Sequence, residues 1–111
     1  MDIKTVVEGP VAVIQVSGRL DATCYQDLEK VSRELIAGGR KKLILDFGGL
    51  DYMSSAGLRS VLTSAQAAMA AGGSVSLCSL KGVVEEVISM SGFDSFLKIY
   101  GTPEEAMKAQ S

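Results

Sequence analysis

Two adjacent serines, Ser54 and Ser55, stand where a short glycine-bearing turn gives way to a long amphipathic helical pattern. A hydroxyl at a helix N-terminus has two uses. It caps the helix by accepting a backbone N–H, or it carries a phosphate, whose charge is favoured by the free N–H groups and the helix dipole. A phosphate there is tolerated by the fold and visible to a partner. Nucleophilic catalysis needs a base beside the serine, and the chain contains no histidine. That removes Ser-His-Asp and Cys-His arrangements. Ser55 is also outside any Gly-x-Ser-x-Gly elbow. The serine pair therefore reads as a switch, and the chain as a protein that is not an enzyme.

Other chemistries find little support. Cys24 and Cys78 lie far apart, form no Cys-x-x-Cys pair and have no metal-ligand spacing, so no metal and no cofactor are expected. They read as small buried apolar side chains. There is no Gly-x4-Gly-Lys-(Ser/Thr) loop and no Gly-x-Gly-x-x-Gly. Gly38-Gly39-Arg40-Lys41 follows a helix, whereas a phosphate cradle must precede one. Asp46 ends an apolar run, as the phosphoacceptor of a receiver domain does. Receiver chemistry also needs an acidic cluster after the first strand, and here Glu8-Gly9-Pro10 enters a hairpin. Asp46 is better read as a polar strand end facing a turn.

The elements that must position the serines follow from periodicity. Residues 3–8 and 11–17 read as strands joined at Gly9-Pro10 into an antiparallel hairpin. A helix is expected over residues 22–37, with Cys24, Leu28, Val31 and Leu35 inward, Asp21 as its cap and Gly38-Gly39 as its stop. The apolar run 42–47 suits an interior parallel strand. A second helix over 55–71 presents Leu58, Val61, Leu62, Ala65 and Met69 as a stripe. A strand over 74–80, a helix over 82–90 with Val83, Val84, Val87 and Ile88 inward, and a short strand over 96–100 come next. Thr102-Pro103-Glu104-Glu105 then opens a final helix, with Thr102 and Glu105 forming a capping box. The expected fold class is α/β. One domain, residues 1–111, holds a four- to five-stranded mixed sheet with an N-terminal antiparallel hairpin and about four helices.

Composition agrees. The 111 residues are 47% hydrophobic and 22% charged, with a net charge of −2, ordinary values for a globular domain. The densest basic group is Arg40-Lys41-Lys42. That is too little to neutralise a nucleic-acid backbone, so no nucleic-acid partner is expected. No apolar run approaches the ~20 residues that span a bilayer, so no membrane insertion is expected. The first residues lack a basic segment followed by an apolar core, which makes the expected location cytoplasmic.

The run Leu45-Asp46-Phe47 through Leu50-Asp51-Tyr52-Met53-Ser54-Ser55-Ala56-Gly57-Leu58 resembles the STAS family, specifically its bacterial anti-sigma factor antagonists. Gly18-Arg19-Leu20-Asp21 resembles that family's Gly-x-Leu-Asp element, and the likeness spans essentially the whole chain. It implies a protein-binding module in transcription signalling that switches partners. When unphosphorylated it binds a GHKL-type serine kinase acting as an anti-sigma factor, releasing the sigma factor or a related regulator. The kinase phosphorylates the motif serine, here Ser55 with Ser54 as second choice, and a PP2C-type phosphatase resets it. The resemblance implies a partner-binding set of Asp21, Met53, Ser54, Ser55, Ala56, Gly57, Leu58 and Arg59. The family's usual aspartate is replaced by Ser54, which removes one negative charge and retains a good N-cap. The alternative function is a constitutive STAS scaffold subunit of a signalling or transport complex, never phosphorylated.

Overall fold

The computed structural model describes residues 1–110; position 111 of the expected domain lies outside the described residues. Its elements run β1 (Asp2–Glu8), β2 (Val11–Leu20), α1 (Tyr25–Ala37), β3 (Lys42–Met53), α2 (Ser55–Ala70), β4 (Ser74–Cys78), α3 (Gly82–Ser91), a 3-10 turn (Phe93–Ser95), β5 (Lys98–Tyr100) and α4 (Pro103–Gln110). One five-stranded sheet has the spatial order β1-β2-β3-β4-β5. β1 pairs antiparallel with β2, and every later pair is parallel. The mixed α/β fold with an N-terminal hairpin is thus present.

Alternation along the strands divides two cores. Ala12, Ile14 and Val16 of β2 and Leu43, Leu45 and Phe47 of β3 face Leu28 of α1, Val61, Ala65 and Ala68 of α2, and Val84 and Ile88 of α3. The opposite residues Val11, Val13, Ile44 and Cys78 meet Ala106 of α4. The central strand is apolar on both faces because both faces are covered.

β3 departs most from the sequence expectation. The residues read as a glycine turn after Phe47 continue the strand to Met53. Two register shifts against β2 explain this. Gln15 pairs with Asp46 but Ser17 with Gly49, and Gly18 pairs with Leu50 but Arg19 with Tyr52. Each is a β-bulge that adds one residue to β3 and resets its side-chain phase. Phe47, Leu50 and Met53, three apart, are consequently all buried in the main core. β2 likewise runs on to Leu20, while β4 ends earlier, at Cys78.

Helix starts and faces differ too. α1 begins at Tyr25 with Cys24 at its N-cap, not at Ala22 with Asp21 as cap. The buried face of α2 is Gly57, Ser60, Val61, Ser64, Ala65 and Ala68. The expected Met69 is 61% exposed, because small residues carry the close contact and the larger ones flank it. In α3, Val84 and Ile88 are buried while Val83 is exposed. At α4, Thr102 Oγ1 accepts the Glu105 N–H at 3.1 Å, but Glu105 reaches back to the Gly101 N–H at 3.2 Å, one residue beyond a strict capping box.

Candidate functional site

The parallel pair β2–β3 ends in two side-by-side register pairs, Arg19 with Tyr52 and Leu20 with Met53. Asp21 and Ser54 follow immediately, so the two sequence motifs leave the sheet at one place. The Ser54 N–H donates to the Leu20 carbonyl at 3.0 Å, which ties the two chain ends together.

Ser54 is the N-cap of α2. Its backbone is extended (φ −88°, ψ 176°), and its Oγ accepts the Gly57 N–H at 3.2 Å. Its carbonyl accepts the Leu58 N–H at 2.8 Å. Ser54 therefore spends its hydroxyl on the fold. Ser55, the first residue of the helix, is exposed, and among the described residues its hydroxyl has no hydrogen-bond partner. No acidic residue occupies the first turn of α2. The dipole there is uncompensated and suited to an added anion. Arg59 lies one turn along at i+4 from Ser55, also exposed, where side chains on one helix face meet.

Gly57 is buried against the chain itself. A Cβ at this position would stand 2.5 Å from the Leu20 carbonyl oxygen and 2.9 Å from Leu20 Cγ. The missing side chain lets α2 approach the end of β2, so the close approach it serves is internal, not contact with another chain. Met53 is a correction as well: at 2% exposure it is a core residue and presents nothing to a partner. Leu58 is half-buried and packs against the main core. Of the expected binding set, Ser55 and Arg59 are exposed, and Asp21, Ser54 and Ala56 are half-buried.

Asp21 organises the turn before α1 without capping that helix. Its Oδ1 accepts the Thr23 hydroxyl at 2.6 Å and the Thr23 N–H at 3.0 Å. Its carbonyl accepts the Cys24 and Tyr25 N–H groups. The Thr23 hydrogen bonds, side chain first, hold the Asp21 carboxyl below its ordinary pKa, with the Arg19 charge a minor contributor. That guanidinium stacks over the Tyr52 ring at 4.2 Å and stands 3.9 Å from Asp21. Sequence reasoning missed this Arg19–Tyr52 stack. Only the bulged register brings the two side chains together, and no local pattern signals it.

Asp46 is not a strand end. It lies within β3, where its Oδ1 accepts the Gly48 N–H at 3.0 Å across the first bulge. Cys78 is buried, and burial pushes its thiol up to about 12. Cys24 is half-buried, with its Sγ 3.2 Å from the Arg19 carbonyl. Among the described residues no group of three or more Cys, Asp or Glu side chains is placed to hold a metal, and no helix is long and apolar enough to cross a membrane.

Comparison with known proteins places this geometry. A family model described as "STAS domain" matches residues 2–106. A curated relative from Bordetella bronchiseptica, named "Putative anti-sigma factor antagonist BtrV", is 36% identical over 94 residues, covering 85% of this chain and 81% of its own. A crystal structure from Thermotoga maritima superposes with a TM-score of 0.90 at 22% identity, covering 97% of this chain and 93% of that one. The anti-sigma factor antagonist SpoIIAA in its unphosphorylated form gives 0.84 at 24% identity, with 97% and 95% covered. The phosphorylated form of the Bacillus SpoIIAA gives 0.76 at 24% identity, with 97% and 98% covered. At these identities the solved structures establish the shared fold.

Proposed function

The chain belongs to the STAS domain family, and from that premise we propose that it is an anti-sigma factor antagonist switched by phosphorylation of Ser55. The observation that carries this reading is the division of labour between the two serines. Ser54 Oγ is engaged as the helix cap, while Ser55 is exposed with an unengaged hydroxyl at the first position of α2. The name of the Bordetella relative supports the antagonist role. The two forms of SpoIIAA support phosphorylation as a state this fold accommodates.

In the unphosphorylated state the edge formed by Asp21, Ser55, Ala56 and Arg59 docks on a GHKL-type serine kinase that doubles as an anti-sigma factor. Docking frees the sigma factor or a comparable regulator. The kinase then transfers the γ-phosphoryl group of ATP to Ser55 Oγ. An O–P bond forms, the phosphoanhydride bond breaks, ADP leaves, and the hydroxyl proton passes to a base on the kinase. A PP2C-type phosphatase hydrolyses the ester and resets the switch. This work takes place in the cytoplasm, where the kinase and ATP are.

The phosphate adds about −1.5 to −2 charges. Within the domain it is stabilised by the free N–H groups of α2 and by Arg59 one turn along, so the fold persists. At the interface the same charge must be desolvated against the partner. A loss of about 2.8 kcal/mol there weakens binding roughly a hundredfold. The test is calorimetric titration of the cognate kinase with wild-type protein, Ser55→Ala and Ser55→Asp. Ser55→Ala should bind as tightly as the unphosphorylated protein, and Ser55→Asp should stay folded and bind weakly. Equal affinity for all three would refute the switch.

A further inference from the structure

On the α4 side of the sheet, one row of side chains crosses three strands. Lys4 of β1 is the register partner of Gln15 of β2, and Gln15 is the partner of Asp46 of β3. Gln15 continues the Val11–Val13 series and Asp46 follows Ile44, which puts the row on the face that α4 partly covers. Here the row lines an open cavity of about 380 Å³ together with Ser17, Gly48 and Ser79. Gln15 and Asp46 lie mid-strand in β2 and β3, while Ser79 directly follows the end of β4, the shortest of the three parallel strands that meet here.

Lys4 and Gln15 are exposed and Asp46 is half-buried. A cation and an anion stand at its two ends with an amide between them. Among the described residues neither Lys4 nor Asp46 belongs to an ion pair. Asp46 Oδ1 is taken by the Gly48 N–H, which fixes the carboxyl and leaves Oδ2 for another donor. The glycine at the first bulge keeps the floor clear. A Cβ at Gly48 would press on Asp46 Oδ1 at 3.2 Å and on Ser79 Cβ at 3.3 Å. Ser79 itself is held at φ 61°, the sole non-glycine residue with positive φ among those described. Such backbone strain gathers at binding sites.

We infer that this cavity binds a small zwitterion of the α-amino-acid class, its ammonium on Asp46, its carboxylate on Lys4 and Gln15 between them. Strand spacing puts the Lys4 and Asp46 Cα atoms roughly 10 Å apart. Lys4 carries its ammonium on a flexible four-carbon stem, which reaches across Gln15 toward the carboxylate of a ligand whose ammonium rests on Asp46. A lone anion would leave Asp46 facing like charge, and a lone cation would do the same to Lys4. The volume is near the lower end for ligand pockets, which suits a short side chain.

The test is an amide NMR titration of the intact protein with each standard L-α-amino acid, using ethylamine and acetate as single-charge controls. At least one amino acid should produce saturable shifts at Gln15, Gly48 and Ser79, with both controls at least about tenfold weaker. Lys4→Gln and Asp46→Asn should each weaken that binding about tenfold or more, as loss of a charge-assisted hydrogen bond does. The Asp46→Asn variant keeps an acceptor for the Gly48 N–H, so its fold is retained and visible in its spectrum. No saturable shift with any amino acid, equal response to acetate or ethylamine, or undiminished binding by both variants would overturn the inference. Because no kinase enters the experiment, its result is independent of the Ser55 switch.

Discussion

At the scale of single residues, Ser54 and Ser55 are separated by one bond in the chain and by their roles. Ser54→Ala removes the acceptor for the Gly57 N–H. It should cost about 1 kcal/mol in urea unfolding, whereas Ser54→Asp should be near neutral, since both residues cap well. Asp21 offers a second residue-level test. Its folded pKa is depressed, so its contribution to stability is present above the unfolded value of about 3.9 and is lost as pH falls through the lower folded value. Thr23→Val deletes the 2.6 Å hydroxyl donor and leaves the backbone donor. Carboxyl NMR titration should then show the Asp21 pKa rising towards the ordinary range. No change would mean that the Thr23 hydroxyl does not govern this carboxyl.

At the scale of elements, the start of α2 is set by how closely it can approach β2. Gly57→Ala should gain up to about 1 kcal/mol in helix propensity, yet its new Cβ would meet the backbone carbonyl of Leu20. The clash should win, with net destabilisation of about 1–3 kcal/mol by chemical denaturation. A stabilised variant would show that α2 can shift outward freely. Gly57 also illustrates what the sequence disclosed and what it hid. Its position in the motif was legible, as were all the helices, the hairpin and Ser54 as a cap. Its contact with Leu20 was not, because that depends on where β2 ends. The bulges in β3 were illegible for a related reason. Gly48-Gly49 carries the local signature of a turn, and only the bulged pairing with β2, Ser17 with Gly49 and Gly18 with Leu50, carries the strand through it, since β4 pairs no further than Asp46. The α2 stripe was read from large side chains, while the buried face is built from small ones that periodicity weights lightly. The row Lys4–Gln15–Asp46 joins three strands and has no local signature.

At the scale of the whole molecule, helices α1–α3 on one face and α4 on the other enclose the sheet, and Cys78 reports on that enclosure. Its thiol is buried and pushed up to about 12. It should resist a thiol reagent at neutral pH until the domain unfolds globally, while the half-buried Cys24 reacts first. Fast native labelling of both thiols would mean that the sheet opens locally. The proposed switch requires that a phosphate on the rim of this enclosure change a binding surface without changing the fold. That claim is tested most directly by incubating the protein with its cognate kinase and ATP, then measuring intact mass and mapping the modified residue. The account predicts one added phosphate, on Ser55, with none on the Ser55→Ala variant. A phosphate on Ser54, or none at all, would contradict it.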